Sequence, residues 1–276
     1  MPESEPKASL GIGTLVSETF TIVFERWFLV IVLGFVPTFI GQLASSFLAG
    51  ANLTLASQQL AYSGLTGNFA SILAGVISIA AMSITFALLV QYAFDANLHR
   101  PLALKRYITT AFRTLLPNAA LNILILLVLG LVAFTIATAA GAANLSPVVL
   151  VPLLLVALLW VYSVFSVTIP AVVISRDGFR GILRSFHLTK DYRWPIVAAI
   201  TLTIFFIVIL SLVLGFFVFF FGMSGGFVGI ILSVLVLASI SSLASGLLSV
   251  LITLIFARLC EIKEGTTMEQ IAGVFD

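Results

Sequence analysis

The chain has 276 residues, of which 61% are hydrophobic and only 24, 13 basic and 11 acidic, carry a formal charge. A soluble domain carries about 25% charged residues, so this composition excludes a soluble enzyme, a disordered chain and a nucleic-acid-binding protein, and it predicts an integral membrane protein. The net charge of +2 sets up no global field for an acidic partner, so the placement of the charges carries more information than their sum.

Taken in chain order, the first charged cluster is Glu3, Glu5, Lys7, Glu18, Glu25 and Arg26. It has no basic leader region, and the apolar run starts only near Trp27, so the first span is expected to be retained despite the small residues Ala49-Gly50-Ala51. Within residues 10–27, Ile12, Val16, Phe20, Val23 and Trp27 share one helical face, and Thr14, Glu18, Thr21 and Glu25 share the other. The charge-free stretch 27–94 follows. It holds two predicted spans, about 28–49 and 69–94, around a polar break from Gly50 to Asn68. Pro37 beside Gly34 predicts a kink in the first of them.

The second cluster is Asp95, Arg100, Lys105, Arg106 and Arg113. Pro101 suits a first helical turn. In 101–116, Leu104, Ile108, Phe112 and Leu115 make an apolar stripe, opposed by Lys105, Arg106, Thr109 and Arg113. Stretch 114–175 then holds predicted spans 118–140 and 147–169, broken at Gly141–Pro147. The third cluster is Arg176, Asp177, Arg180, Arg184, Lys190, Asp191 and Arg193. In 177–193, Phe179, Ile182, Leu183 and Phe186 oppose Arg180, Arg184, His187 and Asp191. Stretch 194–257 holds spans 195–221 and 227–257, broken at Gly222–Gly226. The first of these is rich in phenylalanine (Phe205, Phe206, Phe216, Phe217, Phe219, Phe220, Phe221). The second carries small residues at helical spacing, Ala238, Ser242, Gly246, Ser249 and Thr253, which read as a helix-packing stripe. The last cluster is Arg258, Glu261, Lys263, Glu264, Glu269 and Asp276.

All thirteen basic residues lie on one side of the turns between paired spans. The positive-inside rule therefore places the N-terminus, both charged loops and the C-terminus in the cytoplasm. Lipid offers no partner to backbone groups, so the spans should be helices. The expected fold is all-α and integral to the membrane: six transmembrane helices as three hairpins, each preceded by a cytoplasmic interfacial amphipathic helix. The units 10–94, 101–175 and 177–257 form a weak threefold repeat within a single domain.

No Asp, Glu, His, Lys or Arg falls inside the three apolar stretches, so neither intramembrane catalysis nor ion-coupled transport has its usual residues. The single Cys260 forms no internal disulfide, and His99 and His187 are the only histidines. No metal or cofactor is expected. Asn118 and Asn122, with Gln42 and Gln91, read as inter-helix hydrogen-bonding groups. The basic belt is the leading candidate for contact with anionic lipid headgroups or a partner: Arg176, Arg180, Arg184, Lys190 and Arg193, closed by Trp194. Arg100, Lys105, Arg106 and Arg113 form a second basic helix.

Two segments carry a wider pattern. One runs from Thr168 to Trp194, with Pro170, Arg184-Ser185, Leu188-Thr189 and Arg193-Trp194. The other is Lys263-Glu264-Gly265 followed by Met268-Glu-Gln-Ile-Ala and the terminal Phe275-Asp276. The chain resembles the YciC-like bacterial inner-membrane proteins and the related membrane domain fused to some glycerophosphodiester phosphodiesterases. Members often carry glycine where Asp191 stands. The resemblance implies six spans and the bacterial inner membrane. It implies the membrane part alone, because the catalytic part of such fusions is a separate soluble barrel, far longer than the 19 residues after position 257.

The expected function is that of a non-enzymatic accessory or scaffold protein of the inner membrane, with anionic lipids or a membrane protein as partners. The alternative is a transporter or channel for a lipid-like or small neutral solute. A headgroup enzyme would need Asp177, Asp191 and His187 to converge.

Overall fold

The structure, a computed structural model, describes residues 10–48, 69–98, 100–144, 146–175, 178–223, 227–266 and 270. Among these, 90% are helical and none is in a strand. The helices are α1 (Ile12–Glu25), α2 (Trp27–Leu48), α3 (Phe69–Asn97), α4 (Leu104–Arg113), α5 (Leu115–Ala142), α6 (Pro147–Phe165), α7 (Thr168–Ile174), α8 (Arg180–Thr189), α9 (Arg193–Met223) and α10 (Phe227–Glu264). The Gly50–Asn68 break, His99, Arg176, Asp177, residues 224–226, Met268 and Phe275-Asp276 lie outside the described residues.

Five helical segments are long and apolar enough to cross a membrane, and a sixth results if α1 and the start of α2 count as one bent span. That pair turns through 82° at Arg26. The turn leaves the apolar side of α1, with Leu15, Val16 and Val23 buried, packed on α9 and α10, while Thr14, Glu18, Thr21 and Glu25 stay exposed.

The centre of the bundle is α2, α3 and α10. In α10, 61% of the most apolar window is buried, against 6% in α5, so α10 is the axis and α5 lies at the rim. Small residues make the centre close-packed. A Cβ on Gly34 would fall on Ser242 Oγ and within 3.3 Å of Ser242 Cα, and one on Gly246 would fall on Val30. Ser242 donates to the carbonyl of Ile31 at 2.8 Å. Ala238, Ser242, Gly246, Ser249 and Thr253 are all buried in this core, so the stripe is used for packing inside the chain. α2 runs uninterrupted through Pro37. Thr38, the next residue, donates its hydroxyl to Gly34 and Phe35 carbonyls in the turn that the proline disturbs.

The α5–α6 connection is short because Asn144 takes a left-handed conformation (φ 51°), which Asn tolerates, and Pro147 opens α6. The apolar segment 147–174 is divided at Ser166–Val167. Pro170 has no N–H to return to the Ser166 carbonyl, and α7, buried throughout, continues beyond the break. The fourth apolar segment thus runs to Ile174 rather than ending near 169. At Asp191 φ is 75°, the region that glycine enters freely and Asp tolerates.

Gly34→Ala is expected to overpack the α2–α10 contact and destabilise the protein by about 1–3 kcal/mol. Gly130→Ala, whose Cβ meets nothing within 4 Å, should leave stability unchanged or slightly raised. Thermal unfolding of both variants in one detergent checks this.

Candidate functional site: a shared charged end

Four charged segments, distant in sequence, meet at one end of the bundle. The start of α1 shares a cleft of about 470 Å³ with Asn97, Leu98 and the α10 residues Arg258 and Glu261. Asp95, at the end of α3, is bound by Arg106 of α4. Arg184 of α8 holds Glu264 at the end of α10.

The Asp95–Arg106 pair is the most buried ionic contact here. The Asp95 side chain is 0% exposed and that of Arg106 37%. The Arg106 Nη2 group donates to both carboxylate oxygens at 2.5 Å. The Asp95 carbonyl also accepts the Arg100 N–H at 2.9 Å, which turns the chain out of α3. Tyr107 is fully buried next to this pair, and burial, reinforced by the adjacent Asp95 carboxylate, holds its phenol above the ordinary value. Removing one member of a buried pair leaves an uncompensated charge, which costs several kcal/mol.

The third cluster is largely occupied within the chain. Arg184 donates through Nε (3.1 Å) and Nη2 (2.6 Å) to the Glu264 carboxylate, and its guanidinium lies 5.4 Å from the Phe256 ring centroid. Lys263 donates to the carbonyls of His187 (3.0 Å) and Lys190 (2.5 Å), stands 3.7 Å from Asp191 and lies over Tyr192. Arg193 lies 5.0 Å over Trp160. Arg180, Lys190 and Trp194 are exposed. These contacts clamp the loop after α8 onto the end of α10, a structural use that the spacing of the basic residues did not disclose. Asp191 faces Lys263, and the Asp177 required for a headgroup enzyme lies outside the described residues.

The second basic helix has a different setting. Tyr107 and Ala111 turn α4 toward the bundle. On one flank, Lys105, Arg106 and Arg113 line a cleft of about 610 Å³, with Val172 and Gly178 among its other lining residues. On the other flank, Ile108 and Phe112 line an apolar groove of about 550 Å³ along α2 and α3. That groove follows α2 from Val32 to Ala44, about 18 Å at 1.5 Å per residue. The apolar stripe Leu104, Ile108 and Phe112 is half or more exposed, as are Phe179 and Leu183 beside α8.

Two of the amides within the bundle join helices. Asn122 donates to Ser83 Oγ at 3.0 Å and Gln91 to the Val173 carbonyl at 3.3 Å. Asn118 is fully buried, and its amide meets no hydrogen-bond partner among the described residues. Neither Asn118 nor Asn122 lines any of the three clefts. No group of three or more His, Cys, Asp or Glu residues able to hold a metal ion occurs among the described residues. No protein-family model, curated protein or solved structure matches the chain, so the functional argument rests on these residues and their geometry.

Asp95→Ala is expected to lower stability by about 2 kcal/mol, since it removes the charge-assisted hydrogen bonds that tie α4 to the end of α3. Arg258→Ala, which breaks an exposed i,i+3 pair with Glu261, should cost no more than about 1 kcal/mol. Denaturation of the two variants side by side in one detergent reads the difference.

Proposed function

We propose that the protein is a non-enzymatic multi-pass accessory or scaffold protein of the bacterial inner membrane that engages anionic lipid headgroups with its charged end. The observation that carries this reading is the segregation of its surface. The long helices present exposed Leu, Val and Phe along their flanks, while the ionic groups of four separate segments gather at one end. In this reading α2 with α3, α5 with α6–α7, and α9 with α10 are three hairpins, and α1, α4 and α8 lie in the interface at their entrances. The termini and the charged loops are cytoplasmic, facing the anionic leaflet. The exposed apolar stripes of α4 and α8 support this placement, because such a stripe needs hydrocarbon to cover it.

Native mass spectrometry of the full chain, released from bilayers of phosphatidylcholine with one fifth phosphatidylglycerol, tests the reading. Retained lipid should be enriched in phosphatidylglycerol severalfold over the bilayer. Lipid retained in the bulk ratio, or none at all, would contradict it.

A further inference from the structure

The basic residues at the charged end divide into two groups that the sequence does not distinguish. Arg184, Lys263 and Arg193 are engaged by Glu264, by backbone carbonyls or by an aromatic ring. Lys105 and Arg113 are exposed, and neither has an ion-pair or hydrogen-bond partner among the described residues. Both line the 610 Å³ cleft, whose described lining residues include no acid. Arg106, the third cation on that lining, is fixed in place by Asp95. Asp95 offsets one positive charge, and the other two have no compensating acid among the described residues.

The flank of α4 sets the depth of this cleft. Its opposite side faces the apolar groove of α2 and α3, which at about 18 Å matches one leaflet of a hydrocarbon core about 30 Å thick. On the proposed reading of the protein as a headgroup-contacting membrane protein, on which this inference rests, the cleft on the polar side of α4 then sits at the level of lipid phosphates. Its volume lies within the range of small-molecule sites and exceeds what a bare phosphate fills.

We propose that the cleft between α4 and the two residues Val172 and Gly178 is a binding site for a phosphate-bearing anion, with Lys105 and Arg113 as its direct ligands. Arg106 is a positioning residue, held by Asp95 so that the cleft wall keeps its shape when the ligand leaves. Arginine suits a phosphodiester because its planar donors match two oxygens at once, and lysine adds a point charge on a flexible stem. Of the three threonines on the lining, Thr109 and Thr114 already donate to the carbonyls of Lys105 and Thr110 and so add little donor capacity.

The full chain in phosphatidylcholine nanodiscs is titrated with dioctanoyl phosphatidylglycerol and, separately, with inorganic phosphate. Lys105→Ala/Arg113→Ala should weaken the lipid by about 30-fold, a factor of about five for each cation. Arg180→Ala/Lys190→Ala, which removes the same charge from exposed positions outside the cleft, should weaken it severalfold less than the cleft variant does. Neither variant removes a contact inside the protein, and an unchanged melting temperature checks that both fold. Saturable phosphate binding that is lost in the first variant assigns the site to free phosphate, and binding of the lipid alone assigns it to a headgroup; either result supports the site. Equal losses in the two variants, or none in the first, overturn the site while leaving the headgroup reading intact. Wild-type protein that binds neither probe overturns both.

Discussion

A carboxylate with no access to water, at the end of a long apolar helix, is the constraint from which the charged end of this molecule follows. Asp95 is the last residue but two of α3 and is fully buried. An isolated charge there would be costly, so the chain supplies a guanidinium eleven residues later. To deliver it, the backbone turns at Arg100 and lays α4 against the end of α3. The polar and apolar flanks of α4 are thereby fixed, one facing the basic cleft and the other the apolar groove. A second ionic contact, Arg184 with Glu264, does the same for α8 by tying it to the end of α10.

Between these ionic ends the bundle is held by shape. Gly34 and Gly246 let α2 and α10 approach until Ser242 reaches a backbone carbonyl of α2. In lipid there is little hydrophobic gain from pairing helices, so close contact and interhelical hydrogen bonds supply the specificity. Asn122 to Ser83 and Gln91 to Val173 add two such bonds on the far side of α3. The centre is therefore rigid and small-residue-rich, and α5, with few buried positions, remains at the rim.

Much of this was legible in the sequence because membrane physics writes it in large letters. Charge-free stretches bounded by charged clusters located the apolar helices. The break of the fourth apolar segment at Ser166–Val167 was less legible, since Pro170 alone does not say whether a helix ends, bends or resumes. The pairing of charges was not legible at all. Arg106 and Arg113 stand on the same side of α4 in a helical projection, yet one is tied to Asp95 and the other has no ionic partner among the described residues. Arg184 and Glu264 lie 80 residues apart, and nothing local links them. Charge density is highest in the third cluster, whereas Lys105 and Arg113 of the second stand in a concave setting with no ionic partner among the described residues.

The proposed function requires α4 to lie at the boundary between hydrocarbon and headgroups, with its basic flank outward. Spin labels on single cysteines, introduced into a Cys260→Ala background in bilayers, report depth through the ratio of oxygen to nickel-chelate accessibility. Labels at Ile108 and Phe112 should read just inside the hydrocarbon, a label at Lys105 in the aqueous headgroup layer, and a label at Leu127 of α5 deep in the core. Equal depths at Phe112 and Leu127, or full water exposure at both Ile108 and Phe112, would contradict the account.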